Sequence, residues 1–495
     1  MSKFSLPREP RSFRMYIGGE FTQGSGSTFM VRNSPGHGVP VAQWPQGSAA
    51  DAQAAIGAAR RAFDQGPWPR MSAGERAGVL FKVADLIERE AQDLGLIECL
   101  ETGKPIVQAI GEIRGAVDVW RFAAGAARAM KGDAYNNLGE RVLAMVLREP
   151  IGVVGVVTPW NFPFFILAER LPFILAAGCT AVVKPAEATS GSTLRLCELL
   201  QEAGVPPGVV NVVSGKGSVV GQQLLDSDQI EMVSVTGSTA TGRKAIQASA
   251  SNIKKVGLEL GGKNPHIVFA DADLDDAADG VAFGMSFNAG QCCVGGSRLL
   301  VHRSIADVFT GKLAAKLRRI RMGDPLDEAT QVGALFDEAH MGKVLEYIEG
   351  GVKMGAQVVC GGGRTADRSG YFVEPTLVAN VHASMPLVRE EIFGPVLALI
   401  PFDTYEEAIR IANDSEFGLS ASIWTRDMST ALRAVRQVQA GRVWVNTTLD
   451  NGPETPLGGV KQSGLGREAG LSGIEEYTEI KTAHINLQPR VHWIR

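Results

Sequence analysis

Short apolar runs alternate with helical patterns after residue 150, and this alternation restricts the fold more than any other feature. The runs IGVVGVV, CTAVV, GVVNVV and EMVSV are followed by helical patterns near 163–177, near 190–204, near 217–226 and from about 239. Strands that alternate with helices form a parallel sheet that helices cover on both faces. The sequence therefore predicts a doubly wound α/β domain.

Polar or turn residues follow each predicted strand, in the segments TPWN, KPAE, VSGKG and VTGST. In open parallel sheets, ligands bind outside the carboxyl ends of the strands. The segment VTGSTATG, with Gly237 and Ser238, could hold a phosphate at a helix N-terminus, but it is equally typical of an ordinary helix cap. Lys184 and Glu187 of KPAE could hold ribose hydroxyls.

The other segments predict a second α/β block and a small ribbon. Helical patterns span 49–130, with serine caps at their starts, and residues 136–150 predict a hairpin. A second alternating block runs from NPHIVF to GRVWVN, and the GGK segment at 261–263 is a plausible domain junction. Residues 477–487 alternate like a strand that joins the ribbon, in this or in another subunit.

Composition limits the partners and the compartment. The 495 residues carry a net charge of −4, which provides no basic field for nucleic acid. The apolar stretches are shorter than the roughly 18 residues of a membrane span, so no membrane partner is expected. Six scattered cysteines indicate a reducing, cytoplasmic location, and Pro7 and Pro10 disfavour an N-terminal transit helix.

Two adjacent cysteines, Cys292 and Cys293, lie in the glycine-rich segment FNAGQCCVGGSR. A cysteine nucleophile needs access and a route to the thiolate, but buried, inert cysteines are more common. Neither His266 nor His302 stands in a setting typical of a thiol hydrolase. Glu259, within an apolar, glycine-rich run, is either a surface residue or a general base with a raised pKa. No metal site is predicted.

Seven motifs, taken in order, resemble the aldehyde dehydrogenase superfamily over nearly the whole chain from about residue 15. They are TPWNFP, KPAE, VTGSTATG, LELGGK, FNAGQCC, EEIFGPV and PLGGVKQSGLGRE. The resemblance implies a Rossmann-type NAD-binding domain, an α/β catalytic domain and a small β oligomerisation ribbon, and hence a homodimer or homotetramer. The corresponding ranges are 1–127 with 151–260, then 261–476, and finally 128–150 with 477–495.

The resemblance also implies the chemistry of an NAD-dependent oxidation of a small-molecule aldehyde to the carboxylic acid. Cys293 is the nucleophile, Asn161 donates to the oxyanion, and Glu259 is the general base that activates water to hydrolyse the thioester. Because members that transfer the acyl group to coenzyme A lack this base, a free acid is expected. Arg170 and Glu468 are expected beside Glu259, but Arg170 replaces a lysine and cannot give up a proton. It would act electrostatically, or only pair with Glu169 or Glu468.

For the coenzyme, the resemblance implies one residue set for each part of NAD. The adenosine ribose is assigned Lys184 and Glu187, the pyrophosphate Trp160, Gly237 and Ser238, and the nicotinamide ribose Glu391 and Phe393. Because the Glu187 carboxylate would repel a 2′-phosphate, NAD is expected in preference to NADP.

The expected substrate pocket is less aromatic than in many relatives, because Asn451 and Leu457 stand where those carry aromatic residues. Glu169, Asp450 and Glu454 could form an acidic mouth for an amino- or hydroxy-functionalised aldehyde, or could simply be solvated. The pocket residues are Phe162, Phe165, Ile166, Glu169, Phe287, Cys292, Val294, Asn451 and Leu457.

Two other functions remain open from the sequence. A thiol-dependent ester hydrolase could use Cys293 without a coenzyme, as a side activity or as the main one. A non-catalytic protein could also be built on this fold, although Cys293, Glu259 and Asn161 are all present.

Overall fold

The computed structural model describes residues 3–26, 28–365, 370–490 and 493–494. Its strands are β1 (Arg11–Ser12), β2 (Met15–Ile17), β3 (Glu20–Thr22), β4 (Phe29–Asn33), β5 (Pro40–Pro45), β6 (Asp133–Tyr135), β7 (Val142–Pro150), β8 (Val153–Val157), β9 (Thr180–Lys184), β10 (Val210–Val212), β11 (Met232–Thr236), β12 (Lys255–Glu259), β13 (Asn264–Val268), β14 (Gly296–His302), β15 (Gln357–Cys360), β16 (Thr376–Ala379), β17 (Val396–Phe402), β18 (Phe417–Gly418), β19 (Ser420–Trp424), β20 (Arg442–Val445), β21 (Val460–Lys461), β22 (Gly464–Leu465) and β23 (Thr478–Asn486).

Its helices are α1 (Ala49–Asp64), α2 (Ala73–Arg89), α3 (Ala91–Thr102), α4 (Ile106–Ala127), α5 (Pro163–Ala168), α6 (Leu171–Ala177), α7 (Gly191–Ala203), α8 (Gln222–Asp226), α9 (Thr239–Ser249), α10 (Leu274–Ser286), α11 (Ala306–Leu317), α12 (Glu338–Lys353), α13 (Pro386–Arg389), α14 (Tyr405–Asn413), α15 (Met428–Gln437) and α16 (Gly470–Glu476). Of the helices in the described ranges, none is long and apolar enough to cross a membrane.

An eight-stranded sheet has the order β22-β12-β11-β8-β9-β10-β2-β3. Strands β8 to β12 run parallel, and β22 and β2 join them antiparallel. Successive side chains of a strand point to opposite faces. Val154 and Val183 accordingly enter the core under α2, α4, α6 and α7, whereas Val153 and Val182 enter the core under α1 and α8. The predicted doubly wound sheet is confirmed.

Two of the helices on this sheet begin as the sequence predicts. Ser48 and Ser72 cap α1 and α2, and each forms a capping box with the acidic residue three positions on, Asp51 and Glu75. The structure also divides the second predicted helix, because α2 ends at Arg89 and α3 continues to Thr102 before Gly103 with φ 84°.

A seven-stranded sheet has the order β15-β16-β17-β14-β13-β19-β20 and is parallel except for β15. It confirms the second α/β block. The domain limits stay predictions, and residues 1, 2, 27, 366–369, 491, 492 and 495, which fall within the predicted ranges, lie outside the described residues. Strand β22 lies within the range predicted for the catalytic domain. It nevertheless pairs with β12 and forms the edge of the first sheet.

The small ribbon is a three-stranded antiparallel sheet with the order β23-β7-β6. Strand β23 pairs with β7 over its full length, from Thr478 opposite Pro150 to Asn486 opposite Val142. The predicted tail strand therefore finds its partner in its own chain, and pairing with another subunit is not needed to form it.

The single helix predicted near 163–177 is wrong, because the structure has two helices, α5 and α6. In a continuous helix the nitrogen of Pro172 would have to donate to the carbonyl of Ala168, and proline has no N–H. The chain breaks at Arg170, which has φ −126° and ψ −60°. This break turns the Arg170 side chain into the protein, where it is 1% exposed.

Candidate active site

The carboxyl ends of the parallel strands meet at one edge of the eight-stranded sheet. Val157 lies opposite Lys184 and Val235, and Thr236 lies opposite Glu259. The segments that follow these strands therefore emerge together, as the strand alternation predicts. Lys184 and Glu259 are the last residues of their strands, and the segments that follow the strands carry Trp160, Asn161, Gly237 and Ser238.

The cysteine loop follows α10 and a short helical turn over Phe287–Gly290. Asn288 and Ala289 have φ values of 52° and 54°, which non-glycine residues rarely adopt. Side chains hold this turn in place. Nδ2 of Asn288 donates to the carbonyls of Asn161 at 2.9 Å and Gln291 at 3.2 Å, and the backbone N–H of Phe336 donates to Oε1 of Gln291 at 2.8 Å.

Asn161 faces the same loop from the end of β8. Its side chain is 3% exposed, and Nδ2 donates to the carbonyl of Gln291 at 3.0 Å. That bond uses one of the two N–H groups of the amide. The Asn161 amide is thus bound to the loop two residues before Cys293, and it has a second N–H group that can donate.

The structure distinguishes the two adjacent cysteines. Cys293 is partly exposed, whereas Cys292 is buried against Phe162 and Ile166. Burial raises the pKa of Cys292 to about 12. The surrounding protein, together with Cys292 and the carboxylates of Glu391 and Glu259, raises the pKa of Cys293 well above its usual value. Of the two adjacent thiols, only that of Cys293 is reachable.

Glu259 ends β12 with its side chain 6% exposed. Among the described residues, no group donates a hydrogen bond to its Oε1. Burial raises its pKa to about 8; Arg170 opposes this shift, and Glu468 adds to it. Gly458 lies against the carboxyl group, since a Cβ there would come within 2.9 Å of Oε1. Glu259 is therefore a buried carboxyl group with a raised pKa and without a donor to its Oε1 among the described residues.

Arg170 and Glu468 form a buried network next to Glu259. Nε of Arg170 lies 3.4 Å from Oε1 of Glu468 and donates to Oγ of Ser234 at 3.0 Å. Ser234 donates to Oε1 of Glu468 at 3.0 Å, and the Tyr477 hydroxyl donates to Oε2 at 2.7 Å. The pair predicted for Arg170 thus forms with Glu468. Burial opposes the charge of Arg170, but the neighbouring acidic groups outweigh it and keep its pKa above the usual value.

Lys184 is the last residue of β9, and Glu187 lies beyond the end of this strand. Nζ of Lys184 is buried, donates to the carbonyl of Pro185 at 2.9 Å, and has a pKa that burial lowers to about 8. Nε2 of Gln46 donates to Oε1 of Glu187 at 3.1 Å, and the Trp44 indole donates to the Glu187 carbonyl. The segment after β5 thereby orients Glu187, a contact that no sequence motif indicates.

Ser238 caps α9, and its Oγ accepts from the backbone N–H of Thr241 at 3.3 Å. This bond satisfies one of the free N–H groups at the helix start, which lies directly after Gly237 and the end of β11. Both readings of VTGSTATG therefore remain compatible with the structure: the serine is a helix cap, and the same turn is a helix N-terminus suited to an anion.

Glu391 and Phe393 approach the same edge from the second sheet. The backbone N–H of Gly262 donates to Oε1 of Glu391 at 2.9 Å, and a Cβ at Gly261 would overlap Oε2. Phe393 adopts a φ of 60°, and its carbonyl accepts from Nε2 of His340 at 2.7 Å. The glycines of LELGGK are therefore required for the close approach of Glu391.

An aromatic group connects Phe393 to Trp160. The Trp160 ring lies 5.5 Å from the Phe393 ring, edge to face, and stacks on Phe336 at 4.2 Å. The predicted coenzyme residues of the two sheets thus come together. His340 and Phe336 were missed, because nothing in the sequence brings α12 to this site.

An apolar cluster of side chains packs around Cys292. Phe162 and Phe287 stack at 5.9 Å, and Nζ of the buried Lys104 lies 4.4 Å from the centre of the Phe162 ring. Leu457 exchanges two backbone hydrogen bonds with Glu468, so its loop passes beside the carboxyl network. The side chains of this cluster are Phe162, Phe165, Ile166, Phe287, Cys292, Val294 and Leu449. Leu449 is an addition to the predicted set.

Asn451 and Glu169 are the polar residues of the predicted substrate pocket. Asn451 is exposed, and its side-chain oxygen accepts from Nη1 of Arg442. No sequence motif indicates Arg442 at this place. Burial raises the pKa of Glu169 to about 7, although Arg170 and Arg442 oppose the shift. Within the described ranges, no group of three histidine, cysteine or acidic side chains is placed to hold a metal ion.

The sheet edge fits a dinucleotide. Anionic groups are suited to the helix start at Ser238, a buried amine lies at Lys184, and the carboxylates of Glu187 and Glu391 are held by protein donors in positions to accept from hydroxyls. A reachable thiol and a buried carboxyl lie at the same edge.

Comparison with known proteins gives the class of this enzyme. The sequence model of the Aldehyde dehydrogenase family matches residues 21–483. A betaine aldehyde dehydrogenase of Bacillus subtilis is 39% identical over 97% of this chain and 99% of its own length. The chain is thus an oxidoreductase that acts on aldehydes.

Solved structures agree. An NAD-dependent aldehyde dehydrogenase from Sinorhizobium meliloti matches with a TM-score of 0.97 and 49% identity, over 99% of this chain and 97% of that one. An NAD+ complex of a Bacillus cereus aldehyde dehydrogenase matches with a TM-score of 0.95 and 38% identity, over 98% and 100%. The chain belongs to the aldehyde dehydrogenase family, which confirms the predicted family, fold class and enzyme class.

Proposed function

We propose that this enzyme oxidises an aldehyde to the free carboxylic acid with NAD, through a thioester on Cys293. The observation that carries the proposal is the reachable Cys293 thiol on a loop held by Asn161, near the unsatisfied carboxyl group of Glu259. The NAD+ bound to the Bacillus cereus relative supports the choice of coenzyme.

The first step is addition of the Cys293 sulfur to the aldehyde carbon. The thiol of the partly exposed Cys293 loses its proton to solvent water, a C–S bond forms, and the carbonyl oxygen gains the negative charge. The side-chain amide of Asn161 and the backbone N–H of Cys293 donate to that oxygen. Fixed donors of this kind typically stabilise a transition state by about 3 kcal/mol each.

In the second step a hydride leaves the same carbon, and a thioester remains on Cys293. Bound NAD supplies the hydride acceptor. Lys184 and Glu187 would hold the adenosine ribose, Glu391 and Phe393 the nicotinamide ribose, and the helix start at Ser238, with Trp160 and Gly237, the pyrophosphate.

Hydrolysis of the thioester completes the cycle. Glu259 takes a proton from water, the water oxygen attacks the thioester carbon, the C–S bond breaks, and Cys293 leaves as the thiolate. Arg170 keeps its charge and stabilises the ionised forms of Glu259 and Glu468, so that it acts electrostatically and carries no proton.

The assay that tests this function combines the enzyme, NAD and an aldehyde. We expect NADH and the carboxylic acid in equal amounts, with kcat rising between about pH 7 and pH 9, because Glu259 must be ionised to act as a base and its pKa is about 8. Activity that falls over this range would contradict the role of Glu259. Ester hydrolysis that NAD does not affect, without NADH formation, would favour the hydrolase alternative.

Coenzyme choice gives a second prediction. Glu187→Gln removes the charge that repels a 2′-phosphate, so the ratio of kcat/KM for NAD to that for NADP should fall about tenfold or more, a change of roughly 1.4 kcal/mol. Glu198→Gln, which alters an exposed carboxylate paired with Arg195 on α7, is the matched control and should leave the ratio unchanged. An unchanged ratio in Glu187→Gln would contradict the assigned preference.

We also propose the three predicted domains and a homodimer or homotetramer. Strands β6 and β23 lie at the edges of the ribbon and leave backbone groups free for pairing. Tyr135, Leu147, Ile480 and Ile485 of the ribbon are exposed. These apolar side chains next to open edges support assembly through the ribbon.

A further inference from the structure

We propose that Asn264 and Asn288 are positioning residues for the oxyanion that forms on Cys293. Neither side chain touches the substrate in this assignment. Both donate to carbonyls of the cysteine loop, residues 291–295, and thereby fix the direction of the Cys293 backbone N–H. The inference rests on the proposed function, because it concerns the donors that stabilise the oxyanion in the first step.

The first carbonyl of the loop, that of Gln291, accepts from two side chains. Nδ2 of Asn161 donates to it at 3.0 Å, and Nδ2 of Asn288 donates to it at 3.2 Å. Nδ2 of Asn288 also donates to the backbone carbonyl of Asn161 at 2.9 Å. Asn288 therefore connects the segment that carries one proposed oxyanion donor, the Asn161 amide, to the loop that carries the other, the Cys293 N–H.

The next two carbonyls of the loop are held by other donors. The backbone N–H of Gly295 donates to the carbonyl of Cys292 at 2.9 Å. Nδ2 of Asn264 donates to the carbonyl of Cys293 at 2.7 Å and to that of Gly295 at 2.8 Å. Each of three consecutive carbonyls, from Gln291 to Cys293, thus accepts a hydrogen bond from the protein.

The backbone N–H of Cys293 is oriented by these bonds. It belongs to the same planar peptide group as the carbonyl of Cys292, so its direction is fixed when the carbonyls of the loop are fixed. Within the described ranges this N–H donates to no backbone carbonyl, and it remains available to the oxyanion. Donors that are held in place before the charge develops need no rearrangement during the reaction.

The two positioning residues are buried and are themselves held from outside the loop. Asn264 begins β13 in the second sheet, and its Oδ1 accepts from the backbone N–H of Ser420 at 3.1 Å. The backbone N–H of Asn288 donates to Oε1 of Gln108, on α4, at 3.3 Å. The loop is therefore bound on one side to the second sheet and on the other to α4 and the end of β8.

The test compares two reactions of the same thiol. Aldehyde oxidation passes through an oxyanion, whereas in alkylation by iodoacetamide the Cys293 sulfur displaces iodide and no oxyanion forms. The variants are Asn264→Ala and Asn288→Gly, since glycine retains the left-handed backbone of position 288. In a single turnover at saturating NAD, with enzyme in excess over aldehyde, each variant should form NADH about tenfold more slowly or worse. The rate of alkylation and the Kd for NAD, measured by calorimetry, should match those of the unaltered enzyme.

Asn380→Gly is the matched control and should retain both rates. Asn380 also has a left-handed backbone, with φ 53°, and its Nδ2 donates to the carbonyl of Gly355 at 2.8 Å, but it is exposed and follows β16.

A normal single-turnover rate in either variant would overturn the inference and leave the proposed function intact. A similar change in the rate of alkylation would overturn it as well, because it would indicate a general disturbance of the loop. If one variant does not fold, the other decides. Failure of the unaltered enzyme to form NADH from any aldehyde would instead overturn the proposed function.

Discussion

Cys293→Ala should abolish aldehyde-dependent NADH formation, with kcat reduced by about 10⁴-fold or more. The loss is this large because both the thiohemiacetal and the thioester require the sulfur, and no neighbouring thiol is reachable: Cys292 is buried against Phe162. NADH absorbance measures the reaction. Calorimetry should show that NAD still binds, because Lys184, Ser238 and Glu391 lie on other segments.

Cys360→Ala provides the matched control. It removes a buried thiol from β15, in the second sheet, and should retain nearly full activity. A thiol reagent should label the unaltered enzyme first at Cys293 and should label Cys293→Ala much more slowly. Full activity of Cys293→Ala would exclude the proposed mechanism.

Glu259→Gln should separate the two halves of the reaction. Steady-state turnover should fall about 10²-fold or more, because glutamine cannot accept the proton of the attacking water. The first turnover does not use this base in the proposed mechanism, so a burst of about one NADH per active site should remain. Stopped-flow absorbance measures the burst, and the mass of the intact protein should increase by that of the acyl group.

The control for this variant is Glu416→Gln, an exposed carboxylate near β18, which should turn over normally. Undiminished steady-state turnover in Glu259→Gln would show that another group activates the water. Loss of the burst as well would assign Glu259 an additional role in the first half-reaction.

The sequence predicts the fold well where local pattern and long-range structure agree. Val153 to Val157 and Thr180 to Lys184 are continuous apolar strands, and a parallel sheet buried on both faces requires that pattern. Lys184 and Glu259 stand out because each is a charged residue at the end of such a run. The motifs add roles that remain to be tested by the variants above.

Other features depend on contacts that local pattern does not encode. Asn288 and Ala289 adopt a left-handed backbone conformation that neither residue type requires. Hydrogen bonds from the Asn288 side chain to the carbonyls of Asn161 and Gln291 hold this conformation. Ser234 and Tyr477 meet at Glu468 from segments more than 200 residues apart. Arg442 belongs to an ordinary strand in the sequence, and only the packing of β20 brings it near Glu169.

Strand β22 has a consequence for how the chain matures. It occupies the edge of the first sheet beside β12, yet it is synthesised about 200 residues after that strand. Until Gly464 and Leu465 have been synthesised, β12 has an unpaired, aggregation-prone edge, and the carboxyl group of Glu468 is missing from the core. Such distant pairing slows folding. A chain shortened before this segment would leave Glu259 at the end of a strand whose outer edge is unpaired.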